Sequence, residues 1–336
     1  MERRPGPLVV ALLRRTTSAY LPAAAGDRFL PWATLIAAPG SGALRPALAD
    51  NLRDSWGGGA IRWLSPGEAA EFAFPETPAN LPDVWEEMQE AGIDLAIQAR
   101  RGPRRMLVAD MDSTMILQEC IDELAVEAGV GGQVAAITAR AMNAEIGFED
   151  ALRERVRLLA GLGVSAIERT LERRIVYAPG ARALVATMKA QGAYALLVSG
   201  GFTAFAMPVG SELGFDEVRA NRLLVENGRL TGRAAEPVLG RDAKVAALEE
   251  VAGRLGIGTG DVLAVGDGAN DLGMLGIAGT GVAFHAKPAV AARCDLRINH
   301  GDLTALLYLQ GYGSDRFVSP PMRDGVGETA RDDRRL

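Results

Sequence analysis

Cysteine and histidine are scarce in this chain, two of each among 336 residues. Cys120 and Cys294 are too few for a disulfide framework or a zinc cluster. Cys120 falls on an apolar helix face, the usual place of an inert buried thiol. His285 and His300 follow short apolar segments with no third ligand nearby, which argues against a metal role for them. Long apolar runs are also missing. Residues 8–13 form one near the start, after Arg3 and Arg4, but Arg14 and Arg15 end it at once. That is too short for a secretory core and far below the ~20 residues of a membrane span. It reads as an opening β-strand of a cytoplasmic protein with no membrane partner. A basic excess is absent too: the net charge is −6, so no overall field invites nucleic acid. Arg100, Arg101, Arg104 and Arg105 carry no interleaved aromatics and read as a solvated linker. What remains, 48% apolar and 23% charged residues, is the composition of an ordinary globular chain with room for about two domains.

Two patterns divide the chain. Up to about residue 100, short apolar runs at 33–37, 61–64 and 93–97 alternate with helical patterns at 44–52 and 84–88. This predicts a small α+β module (residues 1–100) that folds and works apart from the rest. Gly102 and Pro103 mark a boundary. From Met106 apolar strands alternate with helices, the pattern of a parallel sheet wrapped by helices, in which the site lies outside the carboxyl ends of the strands. That second domain is expected over 104–312, with a flexible tail over 313–336. The segment from about 117 to 178 breaks the alternation. Its apolar residues, such as Leu117, Cys120, Ile121 and Leu124, recur at helical spacing, so it reads as a helical cap above the strand ends.

The carboxylates sit where such a sheet would place a site. Asp110 and Asp112 follow an apolar strand and, if the strand continued, would share a face. A second group follows another strand in Gly266-Asp267-Gly268-Ala269-Asn270-Asp271, where the glycines permit a tight turn and a close ligand approach. Several carboxylates at strand ends suit Mg²⁺, which prefers hard oxygen ligands. Either run alone would more often be a loop or a helix cap. Between them, Ser199-Gly200-Gly201-Phe202-Thr203 leads from a strand into a helix start, and its backbone N–H groups and hydroxyl could cradle a phosphate. Lys244 stands at another helix start, where a lysine is more often a solvated charge. Arg155 lies on the apolar stripe of a cap helix with Phe148, Ala151, Leu152 and Leu159. It is either an edge arginine reaching for water or a fork aimed at a carboxylate.

The ordered set Asp110-x-Asp112-x-Thr114, Ser199, Lys244 and Gly266-Asp267-Gly268-x-Asn270-Asp271 resembles the four motifs of the haloacid dehalogenase superfamily, over about residues 106–309. The wording Asp112-Ser113-Thr114, Glu119-Cys120-Ile121-Asp122-Glu123 and Ser199-Gly200-Gly201-Phe202-Thr203 resembles its phosphoserine phosphatase branch. The resemblance implies a Rossmann-like α/β core, a parallel sheet flanked by helices, with a helical cap insertion and a small amino-terminal α+β module. It implies Mg²⁺-dependent hydrolysis of O-phosphoserine through an aspartyl-phosphate. The alternative is a phosphatase or phosphotransferase of the same superfamily acting on another small phosphoester. In the first reading Asp110 is the nucleophile and Asp112 the acid and base. Asp110, the Asp112 backbone carbonyl and Asp267 hold the metal, and Asp271 supports them. Ser199, Gly200 and Lys244 hold the phosphoryl oxygens and Asn270 touches substrate. Glu119 and Arg155 take the ammonium and carboxylate, against an apolar wall of Met142 and Phe148. Ala144, where the family often has glycine, leaves the local cap geometry open. An amino-terminal module in such a protein implies a regulatory or dimerising part, which leaves a homodimer open.

Overall fold

A computed structural model describes residues 30–142 and 145–318. The strand expected at 8–13, Ala144, the Met142 side chain and the tail beyond 318 lie outside the described residues. No described helix is long and apolar enough to cross a membrane.

The amino-terminal module runs β1 (Trp32–Ala37), α1 (Pro46–Ser55), β2 (Arg62–Ser65), β3 (Ala69–Ala73), α2 (Leu81–Glu90) and β4 (Ile93–Gln98). Its strands form an antiparallel sheet in the order β2-β3-β1-β4. Strand alternation puts Ala33, Leu35, Phe72, Ile93 and Leu95 on the face covered by Ala49 and Leu52 of α1 and by Val84 and Met88 of α2. The opposite face is not left to solvent. Ile36, Leu64, Ala69 and Ala96 belong to the same core as Leu303, Leu306 and Tyr308 near the carboxyl end. The module is therefore not the separate body expected. Its sheet is buried on both faces, and the second face, where Thr34, Glu71 and Asp94 alternate with those apolar residues, packs against the larger domain.

That domain opens with β5 (Met106–Ala109). The cap helices follow: α3 (Cys120–Glu127), α4 (Gly131–Met142), α5 (Phe148–Leu158) and α6 (Ser165–Arg173). The chain returns through α7 (Ala181–Ala190), β6 (Tyr194–Phe202), α8 (Thr203–Leu213) and β7 (Glu217–Asn221). A hairpin, β8 (Leu223–Glu226) and β9 (Arg229–Ala234), precedes α9 (Arg241–Arg254), β10 (Val262–Gly266), α10 (Leu272–Ile277), β11 (Thr280–Phe284), α11 (Pro288–Ala291), β12 (Leu296–Ile298) and α12 (Ala305–Tyr308). The sheet is parallel, in the order β12-β11-β10-β5-β6-β7. The winding reverses at β5, so a crevice opens at its carboxyl end.

Two expectations are corrected here. The basic linker is only partly solvated. Arg104 is 5% exposed and donates to Thr280 Oγ1 at 2.8 Å, while Arg101 pairs with buried Glu71 at 2.6 Å and lies over the Trp32 ring. Residues 313–318 of the tail expected to be flexible are packed instead. Phe317 packs on Tyr308 and Val318 N–H donates to Thr187 Oγ1 at 2.8 Å, because the segment carries an aromatic side chain that the core accepts.

Candidate active site

The strand expected to carry both Asp110 and Asp112 stops at Ala109. Ser113 takes a positive φ of 56°, an uncommon conformation for a residue other than glycine, and its N–H donates to Gln118 O at 3.2 Å. The chain thus turns back directly after Asp112. Both carboxylates nonetheless border one cavity of about 310 Å³ between the strand ends and the cap. Glu119, Arg155, Ser199, Gly200, Asp267 and Asn270 border it as well. Lys244 lies behind the wall instead of on it.

Of the two readings of that lysine, the solvated charge is ruled out. Lys244 is fully buried, with Nζ 2.7 Å from Asp110 Oδ1 and 2.6 Å from Asp271 Oδ1. Burial alone would lower its pKa, but the two carboxylates outweigh that and leave it raised, so the ammonium is kept charged. Asp271 is held on its other side, where Oδ2 accepts from Gly268 N–H at 2.9 Å. A Cβ on Gly266 would stand 2.4 Å from Asp271 Cγ, so glycine there is what admits the carboxylate against the strand end.

Oxygens of Asp110, Asp267 and Asp271 lie within 4.8 Å of one another, and all three residues are buried. Asp110 Oδ1 takes Lys244 and Met111 N–H, and Asp267 Oδ1 takes Thr114 Oγ1 at 3.3 Å. Their second oxygens take no protein donor among the described residues. Crowded buried carboxylates with free oxygens have the donor chemistry of a hard divalent cation. The side chain of Asp112 is outside this cluster, its Oδ1 accepting from Cys120 N–H at 3.1 Å.

Burial, and then Asp271, push the Asp110 carboxyl well up against the pull of Lys244. Burial and Glu119 raise Asp112 to about 7, partly opposed by the Cys120 N–H and Lys244. Burial, Asp271 and Glu119 raise Asp267 to about 6. A carboxyl at about 7 can carry a proton near neutral pH.

The phosphate-loop residues fall at the end of β6, where the pairing with β7 shifts register between Val198 and Phe202. Ser199 Oγ accepts from Gly201 N–H at 2.8 Å. A Cβ on Gly201 would come within 2.7 Å of Asp112 Oδ2, so this loop passes directly against the acid. Helix α8 starts at Thr203 and adds its N-terminal N–H groups nearby. Sequence reasoning missed Asn221. Its Nδ2 donates to Gly200 O at 2.9 Å, and its Oδ1 accepts from Leu239 N–H at 2.6 Å. No local pattern marks it.

From the cap, Phe148 reaches over the loop, its Cζ 3.1 Å from where a Gly200 Cβ would be. Arg155 donates through Nε to Ala151 O at 3.3 Å and forms no ion pair among the described residues. Burial lowers its pKa, opposed by Asp122, Glu119 and Asp112. Glu119 Oε1 accepts from Ser113 Oγ at 3.0 Å.

A parallel sheet thus carries a carboxylate-bearing turn after β5, a buried lysine behind it and an acidic loop after β10. The chain belongs to the haloacid dehalogenase-like hydrolases, whose family pattern matches residues 107–276. It is 44% identical over 223 residues to the phosphoserine phosphatase of Archaeoglobus fulgidus, covering 66% of this chain and 64% of that one. Alignments with the phosphoserine phosphatases of Streptomyces coelicolor and Mycobacterium tuberculosis cover 65% and 51% of those proteins. The chain therefore spans less than two thirds of the length of these three relatives. Among solved structures, a haloacid dehalogenase-family hydrolase from Salmonella enterica serovar Typhi superposes with a TM-score of 0.76 at 28% identity, over 83% of this chain and 98% of that one. A substrate-bound phosphoserine phosphatase superposes with a TM-score of 0.58 at 39% identity, over 62% and 99%.

Proposed function

We propose that this protein is a Mg²⁺-dependent, cytoplasmic phosphoserine phosphatase. The observation that carries the reading is the meeting, on one cavity, of Asp110 from the core and the guanidinium of Arg155 from the cap, which forms no ion pair among the described residues. A phosphate monoester with a carboxylate fits between them. The relatives named phosphoserine phosphatase support the same substrate.

The carboxylate of Asp110 attacks phosphorus and the bond to the seryl oxygen breaks. Asp112, protonated near neutral pH, gives that oxygen its proton and serine leaves. Asp112 then takes a proton from water, whose oxygen attacks the aspartyl-phosphate and frees phosphate and Asp110. The Ser199 hydroxyl, the backbone N–H groups after it and the Lys244 ammonium offset charge on the transferring group. When bound, Mg²⁺ supplies further neutralisation of phosphoryl charge, held by Asp110, Asp267 and the Asp112 carbonyl, with Asp271 behind them. Arg155 takes the substrate carboxylate, Glu119 the ammonium, and Asn270 borders the bound ester.

Phosphate release from O-phosphoserine, with Mg²⁺ and in chelator, tests the reaction; full activity in chelator overturns the metal. Arg155→Ala tests the substrate. Loss of a charged hydrogen bond costs about 1.5–3 kcal/mol, roughly ten- to a hundredfold in kcat/KM for phosphoserine, with little change for p-nitrophenyl phosphate. Equal losses on both would remove the amino-acid specificity.

A further inference from the structure

Eight buried side-chain polar atoms lack a hydrogen-bond partner among the described residues, and two of them, Asp122 Oδ1 and Thr138 Oγ1, belong to residues on the wall of the catalytic cavity. A buried polar atom left unpaired costs roughly 1–3 kcal/mol, and native chains keep few of them without a water, ion or ligand to satisfy them. Both come from the cap, Asp122 on α3 and Thr138 on α4, and neither takes part in the chemistry derived above.

The two atoms ask for different partners. An ionised carboxylate only accepts, so Asp122 Oδ1 requires a donor, whereas the Thr138 hydroxyl can donate or accept. Asp122 lies in the first turn of α3, whose N-cap residue is Glu119, and both border the cavity. Burial and the Glu119 charge raise the Asp122 pKa, opposed by Arg155. Two like charges in that arrangement are unfavourable by themselves, and a cation between them relieves both. The Arg155 guanidinium acts on Asp122, Glu119 and Asp112 alike yet forms an ion pair with none of them. An acceptor site for an anion therefore adjoins a carboxylate pair for a cation.

We propose that Asp122 and Thr138 complete an amino-acid head-group subsite, in which Asp122 shares a primary ammonium with Glu119 and Thr138 donates its hydroxyl to the carboxylate held by Arg155. The inference rests on the reading of the substrate as an amino-acid phosphoester, and names two specificity-determining residues beyond Glu119 and Arg155.

Four substrates separate the groups: O-phosphoserine, phosphoethanolamine without the carboxylate, 3-phosphonooxypropanoate without the ammonium, and p-nitrophenyl phosphate without either. In the full-length, Mg²⁺-supplied protein, Asp122→Asn should lower kcat/KM about tenfold or more for phosphoserine and phosphoethanolamine. It should leave the two substrates without an ammonium within about twofold. Thr138→Val should lower phosphoserine and 3-phosphonooxypropanoate by about tenfold and spare the other two. Equal losses on all four substrates, or none on any, overturn the subsite while a wild-type preference for phosphoserine leaves the proposed function standing. A wild-type enzyme that turns over all four alike overturns both. Melting temperatures of the variants identify a folding defect, and Asp122→Glu, which keeps the charge, should recover part of the phosphoserine rate.

Discussion

Asp94, fully buried on β4, accepts a 2.8 Å hydrogen bond from the backbone N–H of Gly301, beyond the last strand of the parallel sheet. The same carboxylate takes the N–H of Asn299 at 2.8 Å and of His300 at 3.0 Å. The segment it grips is in turn tied to the loop after β11, where His285 Nε2 lies 2.8 Å from Gly301 O. Hydrogen bonds to a charged group contribute about 1.5–3 kcal/mol each, and the donors left behind stay buried. Asp94→Ala should therefore lower stability by on the order of 3 kcal/mol. A chain beginning near Arg104 should lose its cooperative thermal transition, since Ile36, Leu64, Ala69 and Ala96 would be stripped from the core. Calorimetry checks both; a truncated chain melting like the whole one would show that the module is dispensable.

Under the proposed function Asp112, raised to about 7, has to be protonated in the step that expels serine. In kcat/KM, which reports the free enzyme, the rate on phosphoserine should fall as pH rises through about 7. p-Nitrophenolate departs without a proton. Asp112→Asn should then cost roughly 10²–10⁴ in kcat/KM for phosphoserine and far less for p-nitrophenyl phosphate, whose kcat still drops because the second step needs the base. Equal kcat/KM losses on both substrates would assign Asp112 another role.

Asp110, Asp112 and Asp267 all have folded pKa values above the ordinary carboxyl value. The native state then binds these protons more tightly than the unfolded chain. Stability in chelator should rise as pH falls from about 8 toward about 5, with the full gain present only below the unfolded-state value of about 4. Asp110→Asn removes one of these carboxylates. It should abolish turnover while keeping or raising the melting temperature at pH 8, and flatten its pH dependence. A variant retaining turnover within about tenfold would remove Asp110 from the covalent step.

Gly201→Ala places a methyl 2.7 Å from Asp112 Oδ2 and 3.0 Å from Ser199 Oγ. Either the acid or the phosphate loop must shift. A displacement near 1 Å costs about 10² in rate, so kcat/KM should drop by about that factor. The melting temperature should hardly change, because the residue borders a cavity. Activity within about threefold of the parent would show that the loop yields without disturbing Asp112.

The residues of the cavity were more legible than the architecture around them. Asp110, Asp112, Ser199 and Asp267 stand in local runs whose order along the chain is itself a signal, and the structure gathers them on one cavity. Lys244 was legible only as a member of the ordered motif set, because its ion-pair partners, Asp110 and Asp271, are not its neighbours in sequence. The buried Arg104 escaped for the same reason: Thr280 lies 176 positions on. The hairpin β8–β9 was missed although Asn227-Gly228, both with positive φ, is the turn pair such hairpins favour. Strand β3 was hidden by its alanines, which are weak formers of strands and find their place only against Phe72 and the cores on either side. Asp122 stood in the run Glu119–Glu123 with no role of its own and Thr138 was not singled out, since only the fold reveals a missing partner.

That hairpin has a mechanical consequence. At its root, Asn221 holds both the Gly200 carbonyl and Leu239. Toward its far end, Leu230 exchanges hydrogen bonds with Gly161 and Leu162, just beyond the helix that bears Arg155, and a side chain on Gly232 would strike Ala160. It ties the loop after β6 to the end of the cap helix that bears Arg155. Under the proposed function the hairpin sets the distance between the phosphoryl and carboxylate ends of the substrate, so an ester one methylene longer than phosphoserine should show a lower kcat/KM.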